Sequence, residues 1–464
     1  FADYAKTERI DDLAEKEAGS SVMRKKAARR ASQAPQREQG EMVASDVAGC
    51  SVLADTVIHM PHGSCAVVTR DAIDICDVTG APISWHYTAI DHNWLDVGKA
   101  GYPHYMLKEI YEQKAVVRDT VRWLADRADT LPEYLGYTEE QMKQWRAITM
   151  VACGTSYYAS SIGTYFFSDI VNIPAYAWIA SEFRYRKHFL GADDCFMVLS
   201  QSGETADTLE ALRYVKASSV PTIGVINVPE STIQREADGY VFTNARQEIA
   251  VASTKSFTTQ VALLYWLSHY FGSLHSVCRQ EYMSALCDDV CHAAEQGERV
   301  LEQYRDTLYH DVAMQNATSS YCIFLGKNIT YHLAQEAALK MKELAYIPSY
   351  AYPAGELKHG PLALIYEGTP VVLITSPEEH VYRKFIATVQ EVKARGAHVI
   401  VFAFAHQHEI MQLADTVFVF PKASVFLTPL LMAPLLQAFA YYVARVRSCP
   451  IDKPRNLAKS VTVE

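Results

Sequence analysis

ITMVACGTSYYASSIGTYFFSDI (148–170), read with its echo YCIFLG…YHLAQEAALKMKEL (321–326 and 331–344), decides the fold. Each copy opens as a short apolar run and breaks at a glycine, Gly154 or Gly326. Each then continues with apolar residues at three- and four-residue spacing, the pattern of a strand, a tight turn and a helix. The order recurs downstream. CFMVLS (195–200) precedes the helical ADTLEALRYVKAS (206–218), as PVVLIT (370–375) precedes HVYRKFIATVQEVKARG (380–396). PTIGVIN (221–227) is matched by AHVIVFAF (397–404). Apolar strands without polar alternation are buried on both faces, so they predict parallel sheets covered by helices. The fold class expected is α/β, with two pseudo-repeated doubly wound parallel-sheet subdomains. Sheets of this kind bind ligands beyond the carboxyl ends of their strands.

The boundaries follow from there. Residues 1–43 form a polar arm with a basic knot at Arg24, Lys25, Lys26, Arg29 and Arg30, which reads as a solvated helix or a disordered arm. Within 44–98, VLADTVIHM, CAVVTRD and AIDICDV read as short antiparallel strands, too few to stand alone comfortably. Residues 99–137 carry a linker helix, HYMLKEIYEQKAVVRDTVRWLADRA. The two subdomains span 138–277 and 310–452, joined by a helix over 278–309 and followed by a tail, 453–464. SVFLTPLLMAPLLQAFAYYVA (424–444) is uncharged and long enough to span a bilayer. Its two prolines, Gln437 and two tyrosines favour a buried helix at a domain or subunit contact instead. No secretory signal is legible, and a first residue Phe1 implies a processed or truncated chain.

A net charge of −10 argues against a nucleic-acid partner. The ten cysteines show no disulfide spacing, which suits a reducing cytosol. Cys287, Cys291 and His292 are the one metal-like grouping, but C-x-x-x-C without a second pair is weak, so neither metal nor cofactor is expected.

The chemistry is expected at the turns. Cys153-Gly154-Thr155-Ser156 and Ser200-Gln201-Ser202-Gly203-Glu204-Thr205 each leave an apolar strand and open a helix. Helix starts offer free N–H groups and partial positive charge, hydroxyls add donors, and glycines allow close approach. Ordinary N-capping gives the same residues, but two such turns in consecutive βα units point to a phosphate site. Val251-Ala252-Ser253-Thr254-Lys255 opens a further helix, either as a third wall of that site or as a cap. Glu336, Lys340 and Glu343 share one helix face, where the ordinary reading is a surface ion-pair ladder. A positioned carboxylate is also what proton transfer requires, which makes Glu343 a candidate base. His359, in the loop GELKHGP (355–361), is a candidate proton shuttle, because histidine is the side chain type suited to that task near neutral pH. The tail KPRNLAKSVTVE (453–464) is apolar enough to dock. A docked Lys459 would meet a low dielectric and could form a Schiff base.

Several stretches together resemble the glutamine:fructose-6-phosphate aminotransferases, the glucosamine-6-phosphate synthases. They are HYMLKEIYEQ (104–113), CGTSYY (153–158), IASEFRYR (179–186), LSQSGETADTL (199–209), VASTKSFTTQ (251–260), EAALKMKELAYI (336–347), AYPAGELKHGPLAL (351–364) and DKPRNLAKSVTVE (452–464). They run in the family's order over about 100–464. The resemblance implies two sugar isomerase (SIS) domains and conversion of fructose 6-phosphate to glucosamine 6-phosphate. It implies that Ser156, Ser200, Gln201, Ser202 and Thr205 bind the sugar phosphate, with Val251 and Ala458 lining the pocket. Lys459 would form the Schiff base, Glu343 would move the proton between C1 and C2, and Glu336 and Lys340 would complete the polar shell. His359 would assist ring opening from the neighbouring subunit, so a homodimer is implied. The chain also departs from the family. Phe1 is not the nucleophilic cysteine of the glutaminase domain, and no candidate precedes Cys50. Residues 44–98 resemble only the end of that domain, so ammonia is expected from elsewhere. The rival expectations are a sugar-phosphate isomerase without amination and a regulator that senses a sugar phosphate.

Overall fold

The computed structural model describes residues 54–61, 63–69, 72–89, 98–278 and 282–463; the polar arm and Cys50 lie outside the described residues. Two units separate, one ending at Ile90 and one beginning at Asp91. In the first, β2 (Ser64–Val68) pairs antiparallel with β3 (Ile73–Asp77), and β1 (Thr56–Val57) pairs antiparallel with β4 (Thr88–Ala89).

The second unit contains two five-stranded parallel sheets. The first runs in the order β6-β5-β7-β8-β9, from β5 (Ala147–Ala152), β6 (Ala175–Ile179), β7 (Asp194–Ser200), β8 (Thr222–Ile226) and β9 (Gly239–Phe242). The second runs β11-β10-β12-β13-β14, from β10 (Cys322–Gly326), β11 (Ser349–Pro353), β12 (Pro370–Ile374), β13 (His398–Phe404) and β14 (Thr416–Phe420). The doubled α/β architecture read from the sequence is therefore present. In each sheet the chain leaves the first strand for one neighbour and returns on the other side. The crevice between β5 and β7, like that between β10 and β12, is thus a topological switch point, where such sheets take ligands.

Eight longer helices cover these sheets among the described residues: α1 (Tyr105–Ala125), α2 (Gly154–Phe166), α3 (Ala206–Lys216), α4 (Lys255–Leu274), α5 (Tyr282–Thr307), α6 (Ile329–Ala345), α7 (Glu379–Lys393) and α8 (Thr428–Val446). In α3 the buried residues Thr208, Leu209, Ala211, Leu212 and Val215 repeat at helical spacing and face the sheet, while Arg213 pairs outward with Glu236.

The helix α8, whose one charge is Arg445 in its last turn, is long and apolar enough to cross a membrane, yet 89% of its most hydrophobic stretch is buried inside the protein. Its packing is within the chain, against α5 and α6. Gln437 explains its own presence there: its Oε1 accepts from Gln113 Nε2 at 2.9 Å, and its Nε2 donates to Thr254 O at 3.2 Å. Tyr441 likewise meets His104 Nδ1 through its hydroxyl at 2.9 Å. A buried polar group satisfied in this way ties α8 to the linker helix and to the start of α4.

Candidate active site

The carboxyl ends of β5 and β7 deliver the two serine-bearing turns side by side, since the strands are paired neighbours. Ordinary capping does not account for them. Cys153 and Thr205 occupy the N-cap positions of α2 and α3, and neither side chain bonds a helix N–H. The hydroxyls instead knit the second turn. Ser200 Oγ lies 3.0 Å from Thr205 Oγ1 and accepts from Gly203 N at 3.0 Å. Ser202 Oγ accepts from Glu204 N at 3.1 Å. Ser200 and Ser202 are buried, whereas Gln201 and Thr205 are half-exposed at the mouth of the turn. Ser156, in the first turn of α2, accepts from Gln260 Nε2 of α4 at 2.9 Å.

The tail folds across this region. Asp452 starts it, accepting from the N–H groups of Tyr105 and Met106 at 3.0 Å each, while its carbonyl accepts from Val251 N at 3.0 Å. Arg455 N donates to the Tyr346 hydroxyl at 2.8 Å, and its guanidinium lies 4.3 Å from that ring's centre. Ser460 Oγ donates to Ser202 Oγ at 3.1 Å, and Val461 O accepts from Ala206 N at 3.0 Å. The docking differs in kind from the apolar packing read from the sequence. Leu457, Val461 and Val463 are exposed, and backbone and polar contacts hold the segment. Ala458 is exposed and Val251 half-buried.

Between these anchors Lys459 Nζ donates to Glu248 Oε2 at 2.5 Å and to Ala250 O at 2.9 Å. Glu248 is fully buried. Burial works against its charge, but the Lys459 ammonium and the N–H groups of Thr254 and Ser256 overcome this and hold its carboxyl at about 2. Glu248 also accepts from Ser253 Oγ at 3.0 Å and Ser256 Oγ at 2.9 Å, so it fills the start of α4. The VASTK turn is thus closed by a protein carboxylate, and Ser253 serves it. Glu109 of α1 lies close by, accepting from Ile249 N at 2.6 Å and Ala250 N at 3.1 Å. Burial and the Glu248 charge push its carboxyl up to about 8. Lys255 is buried in an ion pair with Glu112 at 2.6 Å.

The second subdomain contributes the carboxylate–lysine face of α6, and here the expected surface ladder is overturned. Lys340 has no exposed surface, lies 3.4 Å from Glu336 and 2.6 Å from Glu343, and donates to Thr155 Oγ1 at 3.1 Å. The face points at the CGTS turn of the other subdomain because α6 packs on α2. Burial opposes the Lys340 charge, but Glu336 and Glu343 outweigh it and raise its pKa above the ordinary lysine value. Burial pushes Glu336 up to about 7 despite the Lys340 charge. Glu343, about one-fifth exposed, is the member of the trio open to a ligand.

His359 ends the turn Ala354–His359 and is exposed. Among the described residues it makes no hydrogen bond or ion pair with Lys459, Glu343 or the serine turns. Of the metal-like grouping, Cys287 Sγ points at Val121 O, 3.7 Å away. Sequence reading missed Glu248 and Glu109, and it named Thr155 only as part of the first turn, not as a partner of Lys340. The two glutamates are lone carboxylates without informative spacing, and only tertiary contact reveals them.

Similarity to known proteins converges on the same reading. The SIS domain family matches residues 141–270 and 318–447. The glutamine–fructose-6-phosphate aminotransferase (isomerizing) of Clostridium tetani is 38% identical over 429 residues, which is 92% of this chain and 70% of that protein. That of Symbiobacterium thermophilum is 39% identical over 430 residues, again 92% of this chain and 70% of that protein. The C-terminal domain of glucosamine-fructose-6-phosphate aminotransferase from Francisella tularensis is 34% identical, with a TM-score of 0.70 over 77% of this chain and all of that one. A tagatose-6-phosphate ketose/aldose isomerase from Escherichia coli, 15% identical with a TM-score of 0.65 over 78% of this chain and 98% of that one, shares the fold. Two matched SIS domains and extended identity to whole enzymes have one consequence: the chain belongs to the family of isomerizing glutamine–fructose-6-phosphate aminotransferases.

Proposed function

We propose that this chain carries out the isomerizing amination of fructose 6-phosphate to glucosamine 6-phosphate. The observation that carries the reading is the docked tail, which sets Ser460 against the serine turn at the end of β7 and Lys459 against Glu248 and Ala250 beside the start of α4. The hydroxyls of Ser156, Ser200, Ser202 and Thr205, with Gln201, hold the phosphate at the switch point. Val251, Ser253 and Ala458 border the sugar. Lys459 Nζ attacks C2 of the open-chain ketose, water leaves, and an iminium forms. Ammonia then displaces the lysine at C2. Glu343 takes a proton from C1 and returns it to C2. Glu336 and Lys340 fix the orientation of Glu343 through the buried ion pairs. His359 assists ring opening from the second subunit of a homodimer.

The product feeds amino-sugar synthesis, and a cytoplasmic setting suits a chain whose described cysteines are all free. The nitrogen enters as ammonia released from glutamine by a glutaminase domain. The test supplies fructose 6-phosphate and ammonium salt to the purified chain and looks for glucosamine 6-phosphate by mass spectrometry. Product from wild type and none from Lys459→Arg is expected. Interconversion of hexose phosphates without nitrogen uptake would leave a plain isomerase.

A further inference from the structure

The mechanism above gives Glu248 no part, yet Glu248 is the carboxylate that touches the reacting nitrogen. Its Oε2 lies 2.5 Å from Lys459 Nζ, inside the protein and away from water. It cannot swing away. Ser253 Oγ, Thr254 N, Ser256 N and Ser256 Oγ all donate to it, at 2.9 to 3.1 Å. Holding the tail does not require it, because Asp452, Arg455 and Val461 already anchor that segment on three other elements.

The chemistry of imine formation supplies a use. When an ammonium condenses with a ketone, the carbonyl oxygen departs as water with two of the three nitrogen protons. A carbon–nitrogen double bond replaces the carbon–oxygen one, and the nitrogen keeps one proton and the positive charge. The charge at Nζ is therefore the same before and after, and one fixed carboxylate can stabilise both states.

Building on the reading of Lys459 as the Schiff-base lysine, we infer that Glu248 is the counterion of the protonated imine, keeping the nitrogen charged and C2 electron-poor. The other charged groups facing Glu248 are Glu109 from α1 and Lys340 from α6; Lys255 of α4 is turned to Glu112. Glu109 sits at about 8, raised by burial and by Glu248 itself, so near neutral pH Glu248 is the charged member of the two.

The experiment treats wild type, Glu248→Gln and Lys459→Met with fructose 6-phosphate and borohydride, from about pH 6 to about pH 10, where lysine and imine nitrogens titrate. Intact mass gives the yield of reduced adduct. Borohydride reduces the protonated imine, so yield falls where the imine loses its proton. Loss of a carboxylate at contact distance moves such a value by about one pH unit or more. The alkaline edge of adduct yield is therefore expected to fall by about one unit in Glu248→Gln. If circular dichroism shows that variant unfolded, Glu248→Asp replaces it. That change keeps the charge at the start of α4 but withdraws it from Nζ, and it shifts the edge in the same direction. An unshifted edge in the folded variant overturns the counterion role and leaves Lys459 in place. No adduct in wild type, or wild-type yield in Lys459→Met, overturns the Schiff-base reading and this inference with it.

Discussion

Lys340 carries a charge with no exposed surface, and it does so because two carboxylates and the Thr155 hydroxyl replace its water. A buried charge is tolerated only when so paired, and removing one partner from such a group costs roughly 3–5 kcal/mol. The spacing of Glu336, Lys340 and Glu343 was legible in the sequence, but their burial was not. An i, i+4, i+7 ladder looks the same on a surface and at a subdomain junction, and only the packing of α6 on α2 distinguishes them. Glu248 and Glu109 were illegible for a related reason, since a lone carboxylate in a loop or on a linker helix has no pattern to show. Glu343 is tested by its proton. Glu343→Gln keeps the Lys340 contact in shape but cannot accept a proton. The variant is expected to bind fructose 6-phosphate normally and to lose deuterium exchange at C1 by at least about a hundredfold. Exchange at the wild-type rate, read by NMR in deuterated buffer, would remove Glu343 from the mechanism.

At the scale of elements, the side chains at the N-cap positions of the two serine turns bond no helix N–H, which fits the phosphate binding proposed for them. Gly203 makes the second turn possible. It has a left-handed backbone, with φ of +69°, and a Cβ there would meet Ser231 Oγ at 2.1 Å. Gly203→Ala is expected to destabilise the protein by about 1–3 kcal/mol and to raise KM for the sugar phosphate more than it lowers kcat. Unchanged KM with lowered stability would mean that the turn is structural only. The central strands were plain in the sequence because residues such as those of β7 and β13 are buried on both faces. The edge strands β6, β9, β11 and β14 were not, since AYAWI (175–179) and SYAYP (349–353) are half-exposed and short, as edges tend to be. The tail was readable as a docking segment, but not its means of docking. Backbone contacts such as Val461 O with Ala206 N leave no trace in side-chain pattern.

For the whole molecule, the site is assembled from parts far apart in sequence. In the proposed mechanism the turns of the first sheet hold the phosphate and α6 of the second subdomain moves the proton. The tail brings the Schiff-base lysine, while ammonia brings the nitrogen that is transferred. The long apolar helix α8 packs within the chain and satisfies Gln437 from both the linker helix and the start of α4. His359 is exposed and apart from these groups within one chain, which fits its proposed service to a second copy. Mixing inactive Lys459→Met with inactive His359→Ala tests that sharing. Random pairing of two such subunits is expected to restore about a quarter of wild-type activity, whereas no recovery would place His359 in its own subunit's chemistry or in none. The central claim is that the tail lysine bonds the sugar while the serine turns hold its phosphate. Its most direct measurement is the peptide map of wild type reduced with borohydride in the presence of fructose 6-phosphate. The account predicts one added sugar phosphate, on Lys459. An unmodified Lys459, or modification spread over surface lysines, would contradict it.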